Sequence, residues 1–174
     1  MSLTEKRINS KTVYDGKILT LTVDEVSLPD RNISVRECVR HSGGAAVLLV
    51  NDGKVLLVKQ FRYLYGKEIY EIPAGKLNDG EDAAVGAARE LEEETGYRAK
   101  LVHALDLYPS PGYTDEVIHI FFADKFEFVG QKLDAGEFLN CIFIPLDDVL
   151  KMIESGEICD AKTVAAVYKY ISNK

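Results

Sequence analysis

At 174 residues, 47% of them hydrophobic and 28% charged, the chain can bury one compact core and is too short for multidomain machinery. A formal charge of −7 with no lysine or arginine cluster leaves a phosphate-backbone binder without contacts, so nucleic acid is excluded as a partner. The longest purely apolar run, Ala45 to Val50, is far short of a membrane span, and the N-terminal MSLTEKRINSK has no signal-peptide core, so the expectation is a soluble, cytoplasmic protein without membrane contacts. Cys38, Cys141 and Cys159 are odd in number and widely spaced, which suits reduced thiols acting as small apolar fillers.

In chain order, residues 12 to 42 read as strands: Ile18 to Leu28 alternates apolar and polar, Pro29-Asp30-Arg31-Asn32 turns, and Ile33 to Arg40 extends again. His41-Ser42-Gly43-Gly44 is a junction. Ala45 to Val50 and Lys54 to Phe61 then flank Asn51-Asp52-Gly53, a hairpin signal. A short strand at Ile69 to Ile72 leads through a Pro73-Ala74-Gly75 loop to a helix over Glu81 to Thr95, with Gly96 in the stop position. Leu101 to Leu107, Val117 to Phe126 and Phe138 to Ile144 are further strands, and Leu146 to Glu154 and Ala161 to Ile171 have helical periodicity. This irregular interleaving predicts an α/β sandwich with a mixed sheet and an N-terminal antiparallel β subdomain over residues 1–42, followed by the main domain over 43–174.

On the Glu81 to Thr95 helix, Ala83, Ala84, Ala87, Ala88 and Leu91 form an apolar stripe, with Glu90, Glu93 and Glu94 beside it and Glu92 pointing elsewhere. Like charges one turn apart repel by a few tenths of a kcal/mol per pair (roughly 0.2–0.5), so something cationic is needed. Arg89 can offset one charge but offers no oxygen, whereas clustered carboxylates are what hard ions such as Mg²⁺ or Mn²⁺ require. An acidic helix face can also be merely solvated.

The flanking residues narrow the choice. Gly75, Glu81, Arg89, Glu90, Leu91, Glu93, Glu94, Gly96 and Tyr97 fill every defined position of GKLNDGEDAAVGAARELEEETGY, the Nudix box. The chain therefore resembles the Nudix hydrolases, with their α/β/α sandwich. The resemblance implies a loop-helix-loop that binds divalent cations, Mg²⁺ with Mn²⁺ as the alternative, and hydrolyses a nucleoside diphosphate linked to another moiety. It places metal ligands at Glu90 and Glu94, at Glu93 directly or through water, and at the Ala74 carbonyl, with Glu81 and Arg89 bracing the motif.

Ser110-Pro111-Gly112 lies downstream, and Arg36-Glu37, Val58 to Arg62, Glu71 to Gly75 and Asp160 to Thr163 extend the likeness to the ADP-ribose pyrophosphatase subfamily over nearly the whole chain. That likeness implies hydrolysis of ADP-ribose to AMP and ribose 5-phosphate. Arg36 and Glu37 would contact the adenosine half from the partner subunit, Arg62 phosphate, and Ser110, Gly112 and Glu116 the terminal ribose. The proton acceptor would be Glu137, on the Asp134-Ala135-Gly136-Glu137 loop. Ala135 and Gly136 depart from the more acidic pattern of relatives. The adenine-stacking residue falls near Lys17-Ile18, where alignment is loose.

The N-terminal strands hold too little apolar content for an independent core, and in this family the surface that covers them is the second subunit of a domain-swapped homodimer. Other readings are a pyrophosphatase for another nucleoside diphosphate sugar such as GDP-mannose, and a non-catalytic ADP-ribose sensor; sensors usually carry a degraded box, and here all box carboxylates are present. His41, His103 and His119 lack metal-ligand spacing and read as structural or surface residues.

Overall fold

The structure is a computed structural model and describes residues 2–173. The chain divides into two compact units, residues 1–43 with 108–117, and residues 44–107 with 118–174.

The first unit is a three-stranded antiparallel sheet in the order β1 (Lys6–Asp15), β2 (Leu19–Ser27), β3 (Ile33–His41). Pattern reading places the start of the strands at residue 12, whereas β1 begins at Lys6. Alternation reports one-sided burial, and β1 has none: all ten residues are exposed, and register shifts between Arg7 and Asn9 and between Thr12 and Tyr14 interrupt its period. The 108–117 segment is stitched to β3 by Val39 N–H donating to the Tyr113 carbonyl at 2.7 Å and Asp115 N–H donating to the Val39 carbonyl at 3.2 Å.

The second unit is a layered α/β structure. One sheet runs β8 (Ala74–Lys76), β4 (Gly44–Leu48), β10 (Ile118–Phe128), β9 (Tyr97–Leu107), with β4 and β10 parallel and the other pairs antiparallel. The other runs β11 (Leu139–Pro145), β6 (Lys54–Arg62), β5 (Val50–Asn51), with β7 (Lys67–Glu71) paired to β6. Asp52 and Gly53, at φ 47° and 73°, make the tight turn between β5 and β6. Alternate residues of β4, continued by Leu49 just beyond it, serve two cores. Ala46 and Leu48 pack with Leu57, Ile72 and Ile120 and with Val149, Ala166 and Val167 of helices α2 (Leu146–Glu154) and α3 (Ala161–Ser172). Ala45, Val47 and Leu49 pack with Leu77, Phe121 and with Ala87 and Leu91 of α1 (Ala83–Thr95). Removing Leu91, which is fully buried, would cost about 2–5 kcal/mol.

Two local departures from the sequence reading bear on the site. Ala74–Lys76, expected as loop, is a strand whose Ala74 and Gly75 pair with Ala46 and Ala45, which anchors the start of the box to the core. The helix starts at Ala83 rather than Glu81, because Asp82 caps it by accepting from Ala84 and Val85 N–H at 2.9 and 3.2 Å. At its other end Gly96 takes φ 76°, and a Cβ there would lie 2.5 Å from Gln131 N, so only glycine fits.

Candidate active site

The site in the second unit is built around α1. Arg89 forks onto Glu81, with Nε and Nη2 each donating at 3.0 Å, while Nη1 donates to Glu90 at 2.7 Å and to Glu93 at 3.0 Å. One guanidinium therefore serves three carboxylates, where the sequence suggested relief of one. Glu81 also accepts from Asn78 N–H at 2.8 Å, and these bonds, Arg89 first, hold its carboxyl at about 2. Glu81 and Arg89 thus brace the loop against the helix. Glu92 lies outside this network, partly exposed and paired with Arg98.

One turn further on the electrostatics reverse. Glu94 is buried, at 4% exposure, and accepts from Ala74 N–H at 2.9 Å. Burial pushes its carboxyl up to about 8, with the charges of Glu90, Glu137 and Glu71 adding to the rise against the Ala74 bond. Burial likewise raises Glu90, against the pull of Arg89 and with Glu93 and Glu137 adding. Gly75 makes room for this packing: a Cβ on it would fall 2.0 Å from the Glu90 carboxyl carbon. Ala74, Glu90 and Glu94 are brought together, and the field of Glu137 reaches both glutamates. Glu93 is held on the Arg89 side.

Glu137 closes a turn in which its N–H donates to the Asp134 carbonyl at 3.1 Å and its carboxylate accepts from Asp134 N–H at 3.3 Å. The segment leading to it is fastened to the helix end. Lys132 N–H donates to the Glu93 carbonyl at 3.0 Å, and Gln131 Nε2 and the Cys141 thiol donate to the Glu94 carbonyl at 2.6 and 3.3 Å. These bonds satisfy carbonyls that a helix C-terminus leaves without partners. Sequence reasoning missed Gln131 and Lys132, since neither sits in a motif; the left-handed Gly96 stop was the available signal that a returning segment would be needed.

Arg62 is engaged within the protein, where Nε and Nη2 donate to Glu71 at 2.5 and 2.9 Å. Glu71 is 2% exposed and also pairs with Lys162, which reaches Asp160 at 3.0 Å. Thr163 Oγ1 accepts from Ile72 N–H at 2.9 Å and donates to Asp160 at 2.6 Å. Asp160 to Thr163 thus clamps Glu71 and Ile72, immediately before the box.

In the first unit, Arg36 is held by Glu5 through Nε at 3.0 Å and Nη2 at 2.6 Å. A groove of about 320 Å³ is lined by Glu5, Arg36, Glu37, Arg40, Gly112 and Asp115. Arg40, absent from the sequence-predicted set, bridges Asp115 at 3.1 Å and Asp24 at 2.9 Å. Ser110 contributes its carbonyl to a turn, accepting from Tyr113 and Thr114 N–H at 3.3 and 3.2 Å, and Glu116 N–H donates to Thr114 Oγ1 at 3.2 Å.

A loop anchored on a sheet, an arginine-braced helix and a crowded row of inward carboxylates define a class of enzyme, and comparison with known families agrees: the NUDIX domain matches residues 40–167, so this chain belongs to the Nudix family. The nucleoside diphosphate sugar hydrolase N-terminal domain matches residues 5–39. The chain is 46% identical over 170 residues to an ADP-ribose pyrophosphatase of Bacillus subtilis (strain 168), spanning 95% of this chain and 92% of that protein. It is 44% identical over 168 residues to a methanol dehydrogenase activator of Bacillus methanolicus, spanning 94% and 90%. A solved structure of an ADP compounds hydrolase has the same fold, with TM-score 0.85 over 99% of this chain and 95% of that one, at 22% identity. Among the described residues no helix is long and apolar enough to cross a membrane.

Nudix hydrolases generally use a divalent metal, and the donors here fit one. Glu90 and Glu94 present carboxylate oxygens where burial raises both, with Glu93 and Glu137 adding to Glu90 and Glu90, Glu137 and Glu71 adding to Glu94, a conflict that a hard dication would relieve.

Proposed function

We propose that this protein hydrolyses the diphosphate of ADP-ribose to AMP and ribose 5-phosphate with Mg²⁺ as cofactor, Mn²⁺ being able to replace it. The observation that carries this reading is the complete carboxylate set on α1, with Glu94 pushed up to about 8 in a buried position that Gly75 and Ala74 shape. Glu90 and Glu94, with Glu93 and the Ala74 carbonyl, would hold the metal. When bound, it neutralises charge on phosphoryl oxygens and acidifies water.

The chain's own groups do the rest. Glu137 accepts the proton of the attacking water, the water oxygen bonds to one phosphorus, and the bond from that phosphorus to the bridging oxygen breaks, its electrons leaving on that oxygen with the other phosphate monoester, so that AMP and ribose 5-phosphate separate. Arg62, turned from Glu71, would add positive charge beside the phosphates. Arg36, Glu37, Ser110, Gly112 and Glu116 would bind the two ends of the substrate, in a homodimer whose N-terminal sheet, residues 1–42, is exchanged between subunits to serve the partner's catalytic domain. Support for that assembly comes from β1, wholly exposed along its length, with Ile8, Val13 and Tyr14 each more than half exposed. Three free cysteines suit a cytoplasmic location.

The test is chromatography of products from ADP-ribose, with GDP-mannose and other nucleoside diphosphate sugars as competitors, with and without EDTA. AMP and ribose 5-phosphate from ADP-ribose, abolished by EDTA, is the expected result. Intact ADP-ribose at micromolar enzyme with Mg²⁺, or binding without product, contradicts it.

A further inference from the structure

Away from the carboxylate site, β9 and β10 bring together three side chains that the sequence keeps apart. Asp106 and His119 are direct cross-strand partners, and His119 Nδ1 donates to Asp106 Oδ1 at 2.7 Å. His103 stands three residues before Asp106, a spacing that in a regular strand puts the two on opposite faces. The register runs from the pair Ile120 and Leu105 directly to the pair Phe121 and His103, so Ala104 is an extra residue. That bulge turns His103 onto the face of Asp106, where its Nε2 donates to the same Oδ1 at 2.8 Å. The ring is steadied by edge contact with Phe121, at 5.5 Å between centroids. Spacing in the sequence carries no metal-ligand signal for these histidines, and it is the fold that brings two of the three, His103 and His119, onto one carboxylate.

From this geometry we infer that His103, Asp106 and His119 form a binding site for a borderline-soft divalent ion of the Zn²⁺ class, separate from the hard-cation site on α1. All three ligand atoms lie within 4.8 Å of one another. Tetrahedral zinc with ligands at about 2.0–2.1 Å sets them about 3.3 Å apart. The two histidine-to-carboxylate contacts need to open by only about half an ångström, within reach of side chains with 28–52% exposure. Two imidazoles and one carboxylate favour zinc, nickel or copper over magnesium, and water would complete the coordination. A plain ion-pair role gives the bulge little purpose, since exposed pairs contribute little to stability. Asp106 lies one residue before the end of β9 and His119 one residue into β10, so the ion would pin the two strand ends between which residues 108–117 depart.

The test is zinc titration of the protein with ¹⁵N-labelled histidine in excess Mg²⁺, followed by NMR, with calorimetry in parallel. His103 and His119 signals should move together at one equivalent while His41 stays put, and zinc should raise Tm. His119→Ala and Asp106→Asn should each weaken zinc binding by at least about tenfold, and His41→Ala should not. Equal response of all three histidines, unchanged affinity in His119→Ala, or zinc confined to the glutamates of α1 overturns the inference.

Discussion

The loop that leads into α1 and the last turn of α1 carry the same residue type to opposite extremes. Just before the helix, Glu81 lies against an arginine fork and a backbone N–H and its carboxyl is drawn down to about 2; near the helix finish, Glu94 sits buried beside Glu90, within reach of Glu137, and is driven up to about 8. The first is a satisfied network whose work is structural. The second is electrostatically frustrated, and frustration that a fold maintains marks where a ligand of opposite charge belongs.

The sharpest way to break the contrast is to neutralise each end. Glu94→Gln should cost about three orders of magnitude in turnover of ADP-ribose, measured under saturating Mg²⁺. It should still fold, because glutamine mimics the protonated acid that burial favours. Glu137→Gln should cost at least about a hundredfold in kcat while metal binding persists; a near-wild-type rate discards Glu137 as base. Gly75→Ala should lower activity by at least about tenfold with little loss of stability, because the new methyl group meets the flexible carboxylate end of Glu90 and displaces it.

Stability against pH separates the two ends with opposite signs. Glu81 has a folded-state value of about 2 against an ordinary 4.5, so its contribution is full above 4.5 and is lost as pH falls toward 2. Urea unfolding should show Glu81→Gln weaker than the parent at neutral pH, with the gap closing in acid. Glu94, raised from 4.5 to about 8, binds its proton more tightly when folded, so in EDTA its contribution is lost as pH rises through that window. Glu94→Gln in EDTA should therefore be more stable than the parent above pH 8, and a loss of stability there contradicts the burial argument.

Much of the catalytic unit was legible because its signals are local and periodic. The box spacing, the Asp52-Gly53 turn and the amphipathic helices each report a short-range preference that the packing keeps. What escaped was non-local or had no buried face to report. β1 has no burial to imprint a period, Gln131 and Lys132 matter only because the chain returns to the end of α1, and Lys162 meets Glu71 across 91 residues. Arg62, for which the subfamily likeness implies a phosphate contact, has its fork on Glu71, a partner that position in sequence does not reveal. His103 and His119 needed a bulge at Ala104, which no composition rule announces.

Whether the carboxylates of α1 hold a dication is tested most directly by anomalous scattering from crystals soaked in Mn²⁺. A peak bonded to Glu90 and Glu94, absent from Glu94→Gln crystals, is the predicted result. No peak there, with Glu94 still hydrogen-bonded to Ala74 N–H, would contradict it.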